Sequence, residues 1–117
     1  AAHGCEAPPG KRFNYVSIDS QWLGMALEAQ VGMSLDVQLQ QRLWEPMGAA
    51  YAASWSTDDA GRAKAFCCLN ARAIDLARFG QLMVDGGRRD GVEIVPGDWI
   101  DGLLERARRG EGYADQW

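Results

Sequence analysis

The stretch RFNYVSIDSQWLGMALEAQVG, Arg12 to Gly32, decides how the chain is read. Phe13, Tyr15 and Ser17 alternate like residues on one side of a short extended segment, because successive strand side chains point to opposite faces. Asp19 or Ser20 then supplies an N-cap, and Trp22, Leu23, Ala26, Leu27 and Ala29 follow at helical spacing. Gly32 is the expected stop, since glycine adopts the left-handed C′ conformation at little cost. A tyrosine and a serine thus sit two residues apart just ahead of a helix. They are either ordinary packing or two polar side chains aimed into a cleft.

Outward from this stretch, Ser34 caps a second helix in which Leu35, Leu39 and Leu43 repeat every four residues. Val37 and Trp44 widen its apolar stripe, and Pro46 and Gly48 end it. AAYAASWSTDDAGRAKA (49–65) has no clean period and reads as a long surface connection carrying Tyr51 and Trp55, a kind of loop that often carries function. Asn70 is the expected N-cap of a third helix with Leu76, Phe79, Gly80 and Met83 on one face, ended by Gly86-Gly87. GVEIVP (91–96) offers a short extended run. Gly97 and Asp98 open a fourth helix that should bury Ile100, Leu103, Leu104 and Ala107. Residues 1–11, with Pro8, Pro9 and Gly10, read as irregular. Four helices, two short extended pieces and no sheet describe either a small helical domain or the helical part of something larger. Lone strands need partners for their backbone groups, which favours the second.

Composition sets the limits. A chain of 117 residues, 47% of them apolar, can form one globular domain. Its net charge of −4 argues against a nucleic-acid partner, which would call for surplus Lys and Arg. The one basic cluster, Arg106, Arg108 and Arg109, suits the negative end of a helix dipole. No run approaches the ~20 apolar residues of a membrane-spanning helix. The start, AAHGCEAPPGK, is neither a signal peptide nor an initiator methionine, as expected of a processed product or a piece of a longer chain. The compartment is therefore left open.

Little in these residues carries chemistry alone. Cys5, Cys67 and Cys68 lack zinc-type spacing, and Cys67 and Cys68 in AFCCLNA read as small buried hydrophobes before a disulfide or a reactive pair. His3 is the only histidine, so no metal site is expected, and no cofactor motif is present. Asp58-Asp59 reads as an exposed loop with a capping role. None of Ser17, Ser20, Ser34, Ser54 and Ser56 is followed three residues later by lysine, and the only lysines are Lys11 and Lys64. Tyr15 remains. A free phenol, with a pKa near ~10, is a poor base unless a cation or helix N-terminus stabilises its phenolate. From spacing alone a packing role is favoured for it.

The order of motifs changes that balance. YVSIDSQWLGMALEAQVGMSLDVQLQQRLWEPMGA (15–49) and NARAIDLARFGQLMVDGGRRDGVEIVPGDWIDGL (70–103) resemble the serine β-lactamase-related hydrolases. These include class C β-lactamases, penicillin-binding-protein-like esterases and 6-aminohexanoate-dimer hydrolases. The similar elements are a Tyr-x-Ser motif leading into a helix, the Pro46-Met47-Gly48-Ala49 turn, an Asp-Leu-Ala-Arg-Phe-Gly helix, a Gly-Gly turn and an Ile-x-Pro-x-x-Trp approach to the next helix. Together they cover about Gly10 to Leu104, and the 49–65 connection looks most like the 6-aminohexanoate branch.

The resemblance implies an α+β, β-lactamase/transpeptidase-like fold of which this chain is mostly the helical subdomain, with residues 1–117 one partial domain. It implies an acyl-enzyme mechanism on a small amide, lactam or ester, with Tyr15 as the catalytic tyrosine and Ser17 as the second polar position, against substrate or lysine. Tyr51 and Trp55 become candidates to line the substrate cleft. The Ser-x-x-Lys nucleophile motif and the third, Lys-Thr-Gly or His-x-Gly, motif are missing, and GEGYADQW (110–117) looks like an approach to returning strands. An internal fragment, inactive alone, is expected. The alternative is a non-catalytic helical binding module that keeps the scaffold without the chemistry.

Overall fold

The computed structural model describes residues 8, 11 and 14–109. The expectations placed on His3, Cys5, Pro9-Gly10, Phe13 and the 110–117 approach lie outside the described residues.

Helix α1 runs Ser17–Val31, starting three to four residues earlier than an Asp19 or Ser20 cap would allow. Val16 holds the extended N-cap conformation, so Ser17 is the first helical residue, and Asp19 falls in the first turn, where its carboxylate suits the dipole. Gly32 ends the helix as expected, at φ 72°, with its N–H bonded to the Glu28 carbonyl at 2.8 Å. The packing of α1 is not the expected stripe. Trp22 and Leu23 are 61% and 62% exposed, and the buried residue of the helix is Gly24. A Cβ there would lie 2.7 Å from the Ala65 Cβ and 2.9 Å from Leu35, so glycine lets the 61–65 segment press onto the helix. Gln21 fixes that contact, donating to the Ala63 carbonyl at 3.1 Å and accepting from the Ala65 N–H at 2.9 Å.

The second helix is two pieces. Helix α2 covers Leu35–Leu39, and a π-helical turn, Gln40–Trp44, follows where one continuous α-helix was expected. Leucines four apart read alike in both. What widens the turn is a pair of bonds between the same two residues: the Glu45 N–H reaches the Gln40 carbonyl at 3.0 Å, and the Gln40 side-chain amide reaches the Glu45 carboxylate at 2.7 Å.

The connection after it is not sheet-free. Strand β1, Ser54–Trp55, pairs antiparallel with β2, Leu69–Asn70, and a bridge joins Thr57 to Ala63. Asn70 is therefore a strand residue, and helix α3 starts later, at Ala73–Val84 with Arg72 as N-cap. Within this excursion Cys67 and Cys68 are bonded to each other as a disulfide, correcting the expectation of buried thiols. Cys68 takes a left-handed φ of 71° and is exposed, so the pair sits in a turn and not in the core. Asp58 accepts the N–H groups of Ala60 and Arg62, each at 2.9 Å, which is the loop-capping role expected of it.

Strand β3, Arg88–Arg89, and strand β4, Val92–Glu93, form a hairpin around Asp90-Gly91, both at positive φ. The 91–96 run thus has its partner inside the chain. Helix α4, Gly97–Arg108, closes the described chain. The buried apolar set is Leu35, Met47, Ala63, Leu82, Ile100 and Leu103. Leu76 and Leu104, expected inside, are 50% and 43% exposed, and the inward face of α3 is instead marked by Asp75 and Leu82, one heptad apart. Gly87, at φ 78°, brings the hairpin against Ile100, and a Cβ there would run into the Val95 carbonyl.

Ile100 is 1% exposed, so Ile100→Ala should cost about 2–5 kcal/mol in chemical denaturation. A loss well under ~1 kcal/mol would remove this face of α4 from the core.

Candidate functional site

A cavity of about 530 Å³ opens between the α2–π segment and the 49–57 connection. This is within the ~300–1,000 Å³ typical of small-molecule pockets. Asp36, Leu39, Gln40, Trp44 and Glu45 form one wall, and Tyr51, Trp55, Thr57 and Leu69 form the other. Alanines 49, 50, 52, 53 and 63 line it between them, where small side chains leave the space open.

Each aromatic is held by named bonds. The Trp55 indole N–H lies 3.0 Å from the Lys64 carbonyl and 2.9 Å from that of Cys67, which fixes the ring across the excursion between β1 and β2. The Trp44 indole N–H donates to the Tyr51 carbonyl at 2.9 Å, joining the two walls. The Arg72 guanidinium sits 3.8 Å from the centroid of the Tyr51 ring, a cation–π contact worth about 0.5–1 kcal/mol at such a site.

Beneath Tyr51 lies Asp75, fully buried on α3. Its Oδ1 accepts the Ala50 N–H at 2.7 Å and its Oδ2 the Tyr51 N–H at 3.2 Å. The Arg78 guanidinium, one helical turn on, pairs with Oδ1 at 2.5 Å. Burial is the largest single influence on this carboxyl and pushes its pKa up. The Ala50 N–H, Arg78 and the Tyr51 N–H together outweigh it and hold the group below its ordinary 3.8. Asp36 is also held below the ordinary value, chiefly because the Ser34 hydroxyl donates to it.

Of the four residues singled out in the sequence, Tyr51 and Trp55 meet in this cavity. Tyr15, 67% exposed just before α1, and Ser17, exposed at its first position, do not line it. The residues that position the walls, Asp75, Arg72, Trp44 and Gln40, were not singled out. Helical spacing gave no signal for Asp75, because the face expected inside was that of Leu76, Phe79 and Met83, and the amides that pair with it lie about twenty-five residues away. Among the described residues no group of three or more His, Cys, Asp or Glu is placed to hold a metal ion, and no helix is long and apolar enough to cross a membrane.

No family model matches the chain. Over 104 residues, 89% of its length, it is 30% identical to a 6-aminohexanoate-dimer hydrolase of Paenarthrobacter ureafaciens. A solved structure from Bacillus anthracis, provisionally named a 6-aminohexanoate-dimer hydrolase, superimposes on 83% of the chain with a TM-score of 0.80 and 33% identity. The chain spans 26% of the first relative and 25% of the second.

Because the Asp75 carboxyl titrates lower when folded than unfolded, its contribution to stability is complete above pH ~4 and is lost as the pH falls through the folded value. Near-ultraviolet circular dichroism of Trp44 and Trp55 should therefore collapse on acidification, and Asp75→Asn should lower stability at neutral pH while flattening that acid limb. An unchanged acid limb in the variant would show that another carboxylate governs it.

Proposed function

We propose that this chain, related in sequence and fold to the 6-aminohexanoate-dimer hydrolases of the β-lactamase-related family, is part of a serine hydrolase that opens amide, lactam or ester bonds through an acyl-enzyme. The observation that carries the reading is the match in fold and sequence over 83% of the chain at 33% identity. The segment corresponds to the helical part of an α+β, β-lactamase-type fold.

In this reading Tyr15 is the proton carrier. Tyr15 lies in the extended lead-in, two residues before the first residue of α1. Working with a lysine, it takes the proton from the serine nucleophile as the acyl bond forms and returns it to the departing amine or alcohol. Ser17, two residues on, contacts the substrate or that lysine. No serine in residues 1–117 is followed three residues later by lysine, so serine and lysine come from outside this segment. The segment alone is then inactive, because the nucleophile and the oxyanion donors provide most of the transition-state stabilisation. Tyr51 and Trp55 line the part of the cleft that takes the acyl chain.

One observation favours a second reading, a binding module without chemistry: the 530 Å³ cavity is formed without Tyr15 or Ser17. The two readings separate on turnover. Tyr15→Phe in the full-length protein should reduce kcat for a linear amide or ester by about 10²-fold or more, as loss of general acid–base catalysis does. Unchanged kcat would eliminate Tyr15 as proton carrier, and absence of any hydrolysis by the wild type would favour the binding module.

A further inference from the structure

The disulfide between Cys67 and Cys68 joins neighbours in sequence. A cross-link stabilises a fold mainly by closing a loop of the unfolded chain, and the gain grows with loop length. This one encloses no chain, so it constrains only the peptide unit between the two cysteines. That peptide unit sits at a junction. Cys68 holds a left-handed φ of 71°, a conformation that a residue with a side chain keeps only where its surroundings impose it. The Cys67 carbonyl accepts the Trp55 indole N–H at 2.9 Å. The Cys68 carbonyl accepts the Ser56 N–H at 3.1 Å and the Asn70 side-chain amide at 3.1 Å. Two adjacent carbonyls thus hold Trp55 and Ser56, and the next residue, Leu69, is the strand partner of Trp55. Trp55 and Leu69 both line the cavity. Cys67 is half-buried and Cys68 exposed, so the pair lies at the surface, within reach of a thiol.

We propose that Cys67–Cys68 is a redox site for dithiols, whose state sets how firmly the Trp55 wall is held. A thiolate of the reductant attacks one cysteine sulfur, the Cys67–Cys68 bond breaks as a mixed disulfide forms, and the other cysteine leaves as a thiolate and takes a proton. The second thiol of the reductant then displaces the first cysteine, which is protonated in turn. The reductant supplies two electrons and two protons and departs as its own disulfide. With the ring open, Cys68 leaves the left-handed region and both carbonyls turn. The Trp55 indole then loses the Cys67 carbonyl and keeps that of Lys64, at 3.0 Å, as its acceptor. This device goes beyond the hydrolase reading and does not depend on it.

The test takes the full-length protein without denaturant, reduces it with dithiothreitol and reoxidises it with the disulfide form of the same reagent. Alkylation with peptide mapping reads the two cysteines. The indole N–H resonance of Trp55, assigned by its loss in Trp55→Phe, reads the wall. Both cysteines should resist alkylation before reduction and be labelled together after it. The Trp55 resonance should shift with the same midpoint, its indole proton should exchange with solvent about tenfold faster or more, and both changes should reverse on reoxidation. Cys68→Gly keeps the left-handed φ at no steric cost and has no disulfide to lose, so its Trp55 resonance should stay near the oxidised position with or without dithiothreitol. If that variant fails to fold, the wild-type titration answers the question without a mutation. Free thiols at Cys67 and Cys68 after oxidation, a disulfide that dithiothreitol leaves intact, or a Trp55 signal unmoved when both cysteines are labelled would each overturn the proposal. A folded Cys68→Gly protein with Trp55 at the reduced position would overturn it too, because the left-handed turn would not be what holds the ring. Both readouts are made without turnover, so the outcome for Tyr15 as proton carrier leaves this test untouched.

Discussion

The buried carboxylate of Asp75 is the constraint on which the cleft depends. It projects from the first turn of α3 and is fully enclosed, so it must be paired or it would be expelled. Its partners are the backbone N–H groups of Ala50 and Tyr51 together with Arg78. Those bonds tie the beginning of an otherwise irregular connection to a helix that starts more than twenty residues later. With Ala50 and Tyr51 fixed, the Tyr51 carbonyl can receive the Trp44 indole and the Tyr51 ring can lie under Arg72. One side chain thereby sets the backbone, the ring and the link to the opposite wall.

A second constraint acts on α1. Its apolar residues are distributed around the helix, and its one buried position is a glycine that accommodates the 61–65 segment. Apolar side chains spread around a helix in this way leave several of them uncovered, Trp22 and Leu23 most of all. The chain spans only 26% and 25% of the length of these relatives.

Much of this was legible in the sequence, and the failures have physical causes. Gly32, Gly86-Gly87 and the helices around Ala73–Val84 and Gly97–Arg108 follow from local chemistry, which acts over a few residues. Tyr51 and Trp55 stood out because aromatics in an aperiodic stretch have no helix face to occupy. The π-helical turn was hidden because leucines four apart suit either winding. Arg88–Arg89 did not read as a strand because it is charged and exposed, although Asp90-Gly91 is a strong hairpin signal. Asp75 was missed for a deeper reason. A charge on a helix normally faces water, and its burial depends on amides about twenty-five residues away, which periodicity cannot detect.

The most direct measurement of the central claim is hydrogen exchange at the Ala50 and Tyr51 amides, resolved by nuclear magnetic resonance. If Asp75 anchors the connection, these two amides should exchange as slowly as those in the middle of α3, although they lie in no helix or strand. They should accelerate by orders of magnitude in Asp75→Asn while the α3 interior stays protected. Fast exchange of both amides in the wild type would contradict the account, because the connection would then be free of α3 and the Tyr51 wall would have no anchor.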